Sequence, residues 1–311
     1  LNWYEDYEED IRWVFTEAEK IIQEFPEPFD TNGQVFLSKF NIFVKGSSKS
    51  YICFLLPFWL EDFAHLNREE SRQFSLANVF IMLFFHLQDD VMDNPSSPIK
   101  SHLALANLIQ LKYMSIFHHY FEASSKFWHY LRTYLEEWAS AVSREGRITG
   151  GLLDTSTMAH KAAPLKSALA GSLLLSNQEH QLAELEDAVN RTLVTLQMLD
   201  DWQDWEEDLA LENHNSLLAF IRRELDIPLE APLTTSIIEQ SIYSGGILKR
   251  FAEQHSLFES NFELEIVPHL YAFHQDLLED LQAAAARIDS RRLMLEKGGL
   301  HYWISKNVTN T

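Results

Sequence analysis

One cysteine in 311 residues excludes a disulfide-stapled scaffold, because Cys53 has no partner within its own chain. Glycine and proline are scarce as well, ten and nine residues, roughly half of average usage. So little punctuation excludes a collagen-like chain and disfavours an all-β sandwich, which needs many turns. Basic residues are outnumbered: 25 Lys and Arg stand against 46 Asp and Glu, a net charge of −21. Such a field repels phosphate backbones and anionic lipid, so nucleic acid is not an expected partner. Long apolar runs are also missing. The longest nearly uninterrupted one, from Phe74 to Leu87, carries Ser75, Asn78 and His86 and falls short of the roughly twenty residues needed to cross a bilayer. It reads as a core helix, and no stable membrane insertion is expected. The opening LNWYEDYEED lacks the basic and apolar stretches of a secretory leader. With the lone thiol, this points to a reducing, cytoplasmic setting.

What the chain does have is apolar material, 46% hydrophobic and 13% aromatic residues, enough for a sizeable core. Apolar residues recur at spacings of three and four almost throughout, which predicts an all-α protein. The helical stretches fall at 4–24, 34–44, 50–66, 68–93, 98–121, 124–145, 150–176, 178–208, 214–223, 234–255 and 262–293. Between them lie short segments rich in Pro, Gly, Ser and Asp. None is long enough for an interdomain linker and no repeat is visible, so a single domain over 1–311 is expected.

Two acidic clusters stand out from this background. HLQDDVMDNP contains Asp89, Asp90 and Asp93, and LQMLDDWQDWEED contains Asp200, Asp201, Asp204 and Asp208; both hold DDxxD. Residues four apart lie one above the other on a helix, so Asp89 with Asp93, and Asp200 with Asp204 and Asp208, line single faces. Stacked carboxylates repel unless cations neutralise them. In so acidic a chain the ordinary meaning of either cluster is a solvated face. Context argues otherwise, because the first cluster ends the most apolar helix, where Val79, Met82, His86, Asp90 and Asp93 continue one stripe. Carboxylates without Cys or His neighbours favour hard cations, and Mg²⁺ is commonly held by one or two carboxylates plus substrate phosphates. A diphosphate substrate follows as an expectation. Gln197 precedes Asp200 on the same face and can donate an amide N–H to phosphate. Lys161, in the otherwise apolar HKAAPLKSALAGSLL, is the candidate cation, since an ammonium there needs an anion to meet it. Lys166 would point away from Lys161 if that helix were regular.

These residues resemble a known family. HLQDDVMD looks like the first aspartate-rich motif of the all-α isoprenoid synthases, LQMLDDWQD like the second with its preceding glutamine, and HKAAPLKSALAGSLL like the helix of the diphosphate-binding lysine. The likeness covers roughly 45–290, with the motifs in the family's order and spacing. It implies a single-domain antiparallel helical bundle around a central apolar cavity, with Asp clusters at its mouth. It also implies that Asp89, Asp90, Asp93, Asp200, Asp201, Asp204 and Asp208 bind about three Mg²⁺ ions, with Asp89, Asp93, Asp200 and Asp204 as the catalytic carboxylates. Lys161 and Gln197 would hold an allylic prenyl diphosphate, while Met82, Phe85 and Trp205 would line the cavity. Related folds often dimerise, which leaves a homodimer open.

Departures choose among the family's reactions. Chain-elongating synthases carry an Arg-Arg pair after the first motif and a Gly-Lys-x-x-Arg segment upstream. Here those places offer only Lys100 in NPSSPIKS, and Lys45 and Lys49 in VKGSSKS. Alanine also follows Lys161 where threonine is usual. The run Asp200, Asp204, Asp208 has the spacing of the metal triad in class I terpene synthases. The expectation is therefore a lyase that ionises one allylic diphosphate, shields the carbocation from water and stabilises it with aromatic faces. The alternatives are a chain-elongating prenyl diphosphate synthase using isopentenyl diphosphate, and a non-catalytic acidic helical interaction protein. A ferritin-like di-iron protein would need Glu-x-x-His pairs, and the nearest spacing is Asp62 to His65. Arg287, Arg291 and Arg292, followed by His301, Tyr302 and Trp303, form a candidate C-terminal cap over the mouth, although basic last turns are commonly dipole partners.

Overall fold

Helices start where a side chain can satisfy their first backbone N–H groups, and the longest apolar helix shows this at Asn67. Its side chain accepts from the Glu70 N–H at 3.0 Å while Glu70 accepts from the Asn67 N–H at 2.8 Å, a reciprocal cap. The computed structural model describes residues 2–48, 50–94, 96–144, 154–254 and 267–296. These residues are helical, with no strand among the described residues, and none of their helices is long and apolar enough to cross a membrane. The chain divides into two compact units.

The first unit takes the described residues of 2–142, 160–190 and 267–273. Its centre is α4 (Arg68–Asp93), which packs against α1 (Glu8–Gln23), α3 (Tyr51–Trp59), α5 (Ile99–Tyr120) and α8 (Lys166–Leu175). Every residue from Phe74 to Leu83 is buried, as expected of a helix that is apolar all round. The polar residues in that run are bonded into the core: the Ser75 hydroxyl donates to the Phe54 carbonyl at 2.6 Å and the Asn78 amide to the Leu165 carbonyl at 3.1 Å. Buried Asp10 on α1 pairs with Arg68 at 3.1 Å and Arg72 at 2.7 Å on α4. Gly171 lets α8 approach closely, since a Cβ there would stand 3.3 Å from Phe121 and 3.4 Å from Phe74. The unit also holds α2 (Phe29–Ser38), most of α6 (Phe127–Arg144) and the start of α9 (Leu182–Gln203).

The second unit takes the described residues of 143–159, 191–262 and 274–311. It includes the rest of α9, α10 (Trp205–Leu211), α11 (Ser216–Glu224), α12 (Thr235–Tyr243), α13 (Ile247–Glu253) and most of α14 (Pro268–Glu296). Leu217, Ile221, Ile238, Ile242, Leu248 and Phe251 form its apolar interior.

The helix expected over 68–93 has those bounds. Others are divided, each for a local reason. The stretch over 150–176 becomes α7 (Thr155–His160), a 3-10 turn at Ala163–Leu165 and α8, because Pro164 has no N–H to donate to the preceding turn and its ring crowds that turn's carbonyl. That over 234–255 is split at Gly246, whose φ of 64° is left-handed. That over 178–208 stops at Gln203 and restarts at Trp205. The restart places Glu206, Glu207 and Asp208 in a new first turn, where the positive end of the helix dipole favours them. The element expected at 34–44 lies earlier, after Pro28. Residues 145, 150–153, 255 and 262–266 of the expected helices lie outside the described residues.

Candidate functional site

Three carboxylates, Asp89, Asp90 and Asp93, occupy the last turn of α4, which holds no basic residue. A helix C-terminus carries partial negative charge, so this placement disfavours ionised acid groups. Asp89 is partly exposed and Asp93 exposed. Asp90 turns back onto the segment that follows. It accepts from the Ser97 hydroxyl at 2.9 Å, and the His102 Nδ1 stands 2.8 Å from the same oxygen. Ser97 and His102 are themselves 3.0 Å apart. Asp90 thus fastens the start of α5 to the end of α4.

Above the acids, Met82 and Phe85 are buried, and Phe85 meets Trp138 edge-on with ring centres 4.6 Å apart. His86 stacks on Phe40 at 4.4 Å, and burial pushes its imidazole down to about 4, so it is neutral at pH 7. It is partly exposed and packs as a neutral ring at the edge of the core.

The two lysines of the third segment differ in their burial. Lys161 lies in the turn after α7 and is partly exposed. Lys166, at the start of α8, is 1% exposed. Its ammonium donates to Glu137 at 2.8 Å and sits 4.7 Å from the Tyr134 ring centre. The argument that a buried ammonium needs an anionic partner holds at Lys166. The break at Pro164 allows it, because the two lysines do not share one regular helix. The signal was present in that proline, whereas the partner, 29 residues away, was not.

The second acidic segment belongs to the other unit. Asp200, like the first motif, is close to a helix C-terminus without a basic residue in its last turn. Asp204 stands at the break, with the amide of Asp204 bonded to the Asp200 carbonyl and that of Asp208 to the Asp204 carbonyl, each at 2.9 Å. The spacing of Asp200, Asp204 and Asp208 therefore survives the interruption as backbone hydrogen bonds. Burial, and then the neighbouring Asp208, Glu207 and Asp201, hold the Asp204 carboxyl above its ordinary value. Asp201 is 4% exposed. It accepts from Gln197 at 2.7 Å, from the Ser216 N–H at 2.8 Å and from the Ser216 hydroxyl. Gln197, expected to serve phosphate, serves this carboxylate here. Trp205 is buried at the start of α10.

Sequence reasoning missed Asn215. Its position before an apolar run marks a helix cap, and its Oδ1 does accept from the Leu218 N–H at 3.1 Å. Its amide also donates to Asp208 Oδ2 and to the Asp201 carbonyl, each at 2.8 Å.

Among the described residues no three His, Cys, Asp or Glu side chains converge to hold a metal by themselves. An ion here would therefore draw part of its coordination from ligand oxygens and water. A cavity of about 720 Å³ lies in the second unit between α13 and α14, beside Lys249, Glu253, Gln282 and Asp289, and touches neither acidic segment. Of the expected cap, Arg292 pairs with Asp289 at 3.1 Å. His301, Tyr302 and Trp303 lie outside the described residues, as does Lys49. No protein-family model matches the chain, and no curated protein matches it.

Proposed function

We propose that this chain is a Mg²⁺-dependent class I terpene synthase. It acts in the cytoplasm on an allylic prenyl diphosphate, within an isoprenoid-synthase-type bundle around an apolar cavity. The observation that carries the reading is the repetition of DDxxD at the carboxy ends of two long helices, α4 and α9, neither with a basic residue in its last turn. One such helix end is an acidic surface. Two, with the same acid spacing and each preceded by apolar residues, are better explained by a shared need for divalent cations. The donor set, all carboxylate oxygen, suits Mg²⁺. Bound there, about three Mg²⁺ ions would supply Lewis-acid stabilisation to the departing diphosphate.

The chain's own residues do the rest. Asp89 and Asp93 at the end of α4, and Asp200, Asp204 and Asp208 across the break between α9 and α10, provide the anionic ligands, with Asp90 and Asp201 beside them. Lys161, and Gln197 if it releases Asp201, donate to phosphate oxygens. Met82, Phe85 and Trp205 exclude water from the carbocation, and the aromatic rings offer it their negative faces.

Incubation with geranyl, farnesyl and geranylgeranyl diphosphates and Mg²⁺ tests the proposal. Released diphosphate and extractable hydrocarbon without isopentenyl diphosphate are expected, and Asp89→Ala or Asp204→Ala should reduce the rate at least ~100-fold. Longer diphosphates formed only with isopentenyl diphosphate would replace the lyase reading with chain elongation. If none of the three substrates is turned over and neither substitution alters Mg²⁺-dependent diphosphate binding, both acid rows are solvated faces.

A further inference from the structure

Asn215 is 3% exposed, and its side chain is used at every position. Oδ1 caps α11 by accepting from Leu218 at 3.1 Å. The amide nitrogen sends one N–H to the Asp201 carbonyl at 2.8 Å, in the last turn of α9, and the other to Asp208 Oδ2 at 2.8 Å. Last-turn carbonyls lack intrahelical donors, so Asn215 supplies one at the break between α9 and α10. Next to it, Ser216 donates its N–H and hydroxyl to the Asp201 carboxylate. One capped helix start therefore grips both sides of the interruption at Asp204 and holds one carboxylate of the acid row by a single oxygen.

We infer that Asn215 is a positioning residue for Asp208: it fixes the joint at Asp204 and orients the Asp208 carboxylate so that Oδ1 is presented to a divalent cation. The inference rests on the proposed metal-binding role of the second acidic segment and narrows it, because it assigns the geometry of that segment to a neutral amide seven residues away. A partly exposed carboxylate such as Asp208 samples several rotamers, and one already oriented by a buried donor loses less freedom on meeting an ion.

Asn215→Ser and Asn215→Asp separate this role from helix capping, since Ser, Asp and Asn cap about equally well. Neither retains the two amide donors, and aspartate would face Asp208 with like charge. Titration of the full-length protein with Mg²⁺ and inorganic diphosphate, followed by calorimetry, reads the metal requirement without turnover. Both variants should raise the Mg²⁺ concentration at half-saturation about tenfold, the usual loss when a partner of a metal ligand is removed. Asn67→Ser, at the other asparagine cap, should leave it unchanged. In the double variant Asn215→Ser with Asp208→Asn, half-saturation should match that of Asp208→Asn alone, because the amide acts through that carboxylate. Additive losses, or an unchanged half-saturation in Asn215→Ser where Asp208→Asn raises it, would overturn the inference and leave the function standing. An unaltered chain that binds no diphosphate with Mg²⁺ would overturn both.

Discussion

The two acidic segments have the same sequence pattern and different anatomies. The first ends an uninterrupted helix of 26 residues, α4, whose middle is buried on every side. The second straddles a break, with Asp204 between α9 and α10. In both, the second aspartate is turned onto protein groups that begin a later helix: Ser97 and His102 for Asp90, Ser216 for Asp201. Helix geometry explains the shared part. A residue one position along points about 100° away from its neighbour, so when the first and third acids face outward the second faces the interior or the flanking loop. The difference lies in what the second acid has to hold. Where α4 is fixed by its own burial, a partly exposed clasp suffices. Where the helix is interrupted, the clasp is buried and bonded to both Gln197 and Ser216.

The largest expected effect follows from that contrast. Asp201→Ala would strand the Gln197 amide and both Ser216 donors in the interior, and should lower unfolding free energy by about 3 kcal/mol. Asp90→Ala, at a site open to water, should cost under about 1 kcal/mol. Urea unfolding of the two variants side by side measures the gap. Equal losses would mean that the break at Asp204 places no special demand on its clasp.

A smaller effect separates the apolar carriers of the two segments. His86, one turn before Asp90, has its pKa lowered by burial to about 4 from an ordinary 6.5. Such a histidine resists protonation when folded and accepts it when unfolded, so its contribution is complete above pH 6.5 and is lost as pH falls toward 4. Replacing it with glutamine should shrink the fall in stability between pH 8 and pH 5 by about 2 kcal/mol. An unchanged pH dependence would mean that the imidazole is hydrated in the native state, and α4 would be less dry at that level than its apolar run implies.

How much of this could be read in the chain beforehand depended on whether the deciding interaction was local. The bounds of α4 follow from its apolar run and from Asn67 with Glu70 at its start. The splits at Pro164 and Gly246 are likewise local, each falling at a residue that interrupts helix geometry. The split at Asp204 has no breaker residue. It follows from the gain of a second helix start beneath Glu206, Glu207 and Asp208, together with Asn215 and Ser216 arriving from outside the helix. Periodicity could identify which aspartates share a face, but not that Asn215 would grip one of them or that Lys166 rather than Lys161 would be buried against Glu137. Those pairings are made by the fold.

The smallest expected effect concerns the break itself. The Asp204 carboxyl is held above its ordinary value of 3.8 by burial and by Asp208, Glu207 and Asp201. A carboxyl so placed takes up its proton more readily folded than unfolded. It therefore weakens the fold at neutral pH, and the penalty fades as pH falls through the raised value. Asp204→Asn removes the charge and the penalty together. Because the group is largely exposed, solvent screens the effect, and the melting temperature at pH 7 should rise by only about one degree, with no rise at pH 3. Mg²⁺ should do for the unaltered chain what the substitution does for the variant, raising its melting temperature at pH 7 and failing to raise it at pH 3, where the carboxylates are protonated. If Asp204→Asn instead lowers the melting temperature at pH 7, the charge at the break is stabilised by the protein alone, and the repulsion attributed to the second row is not what a cation relieves.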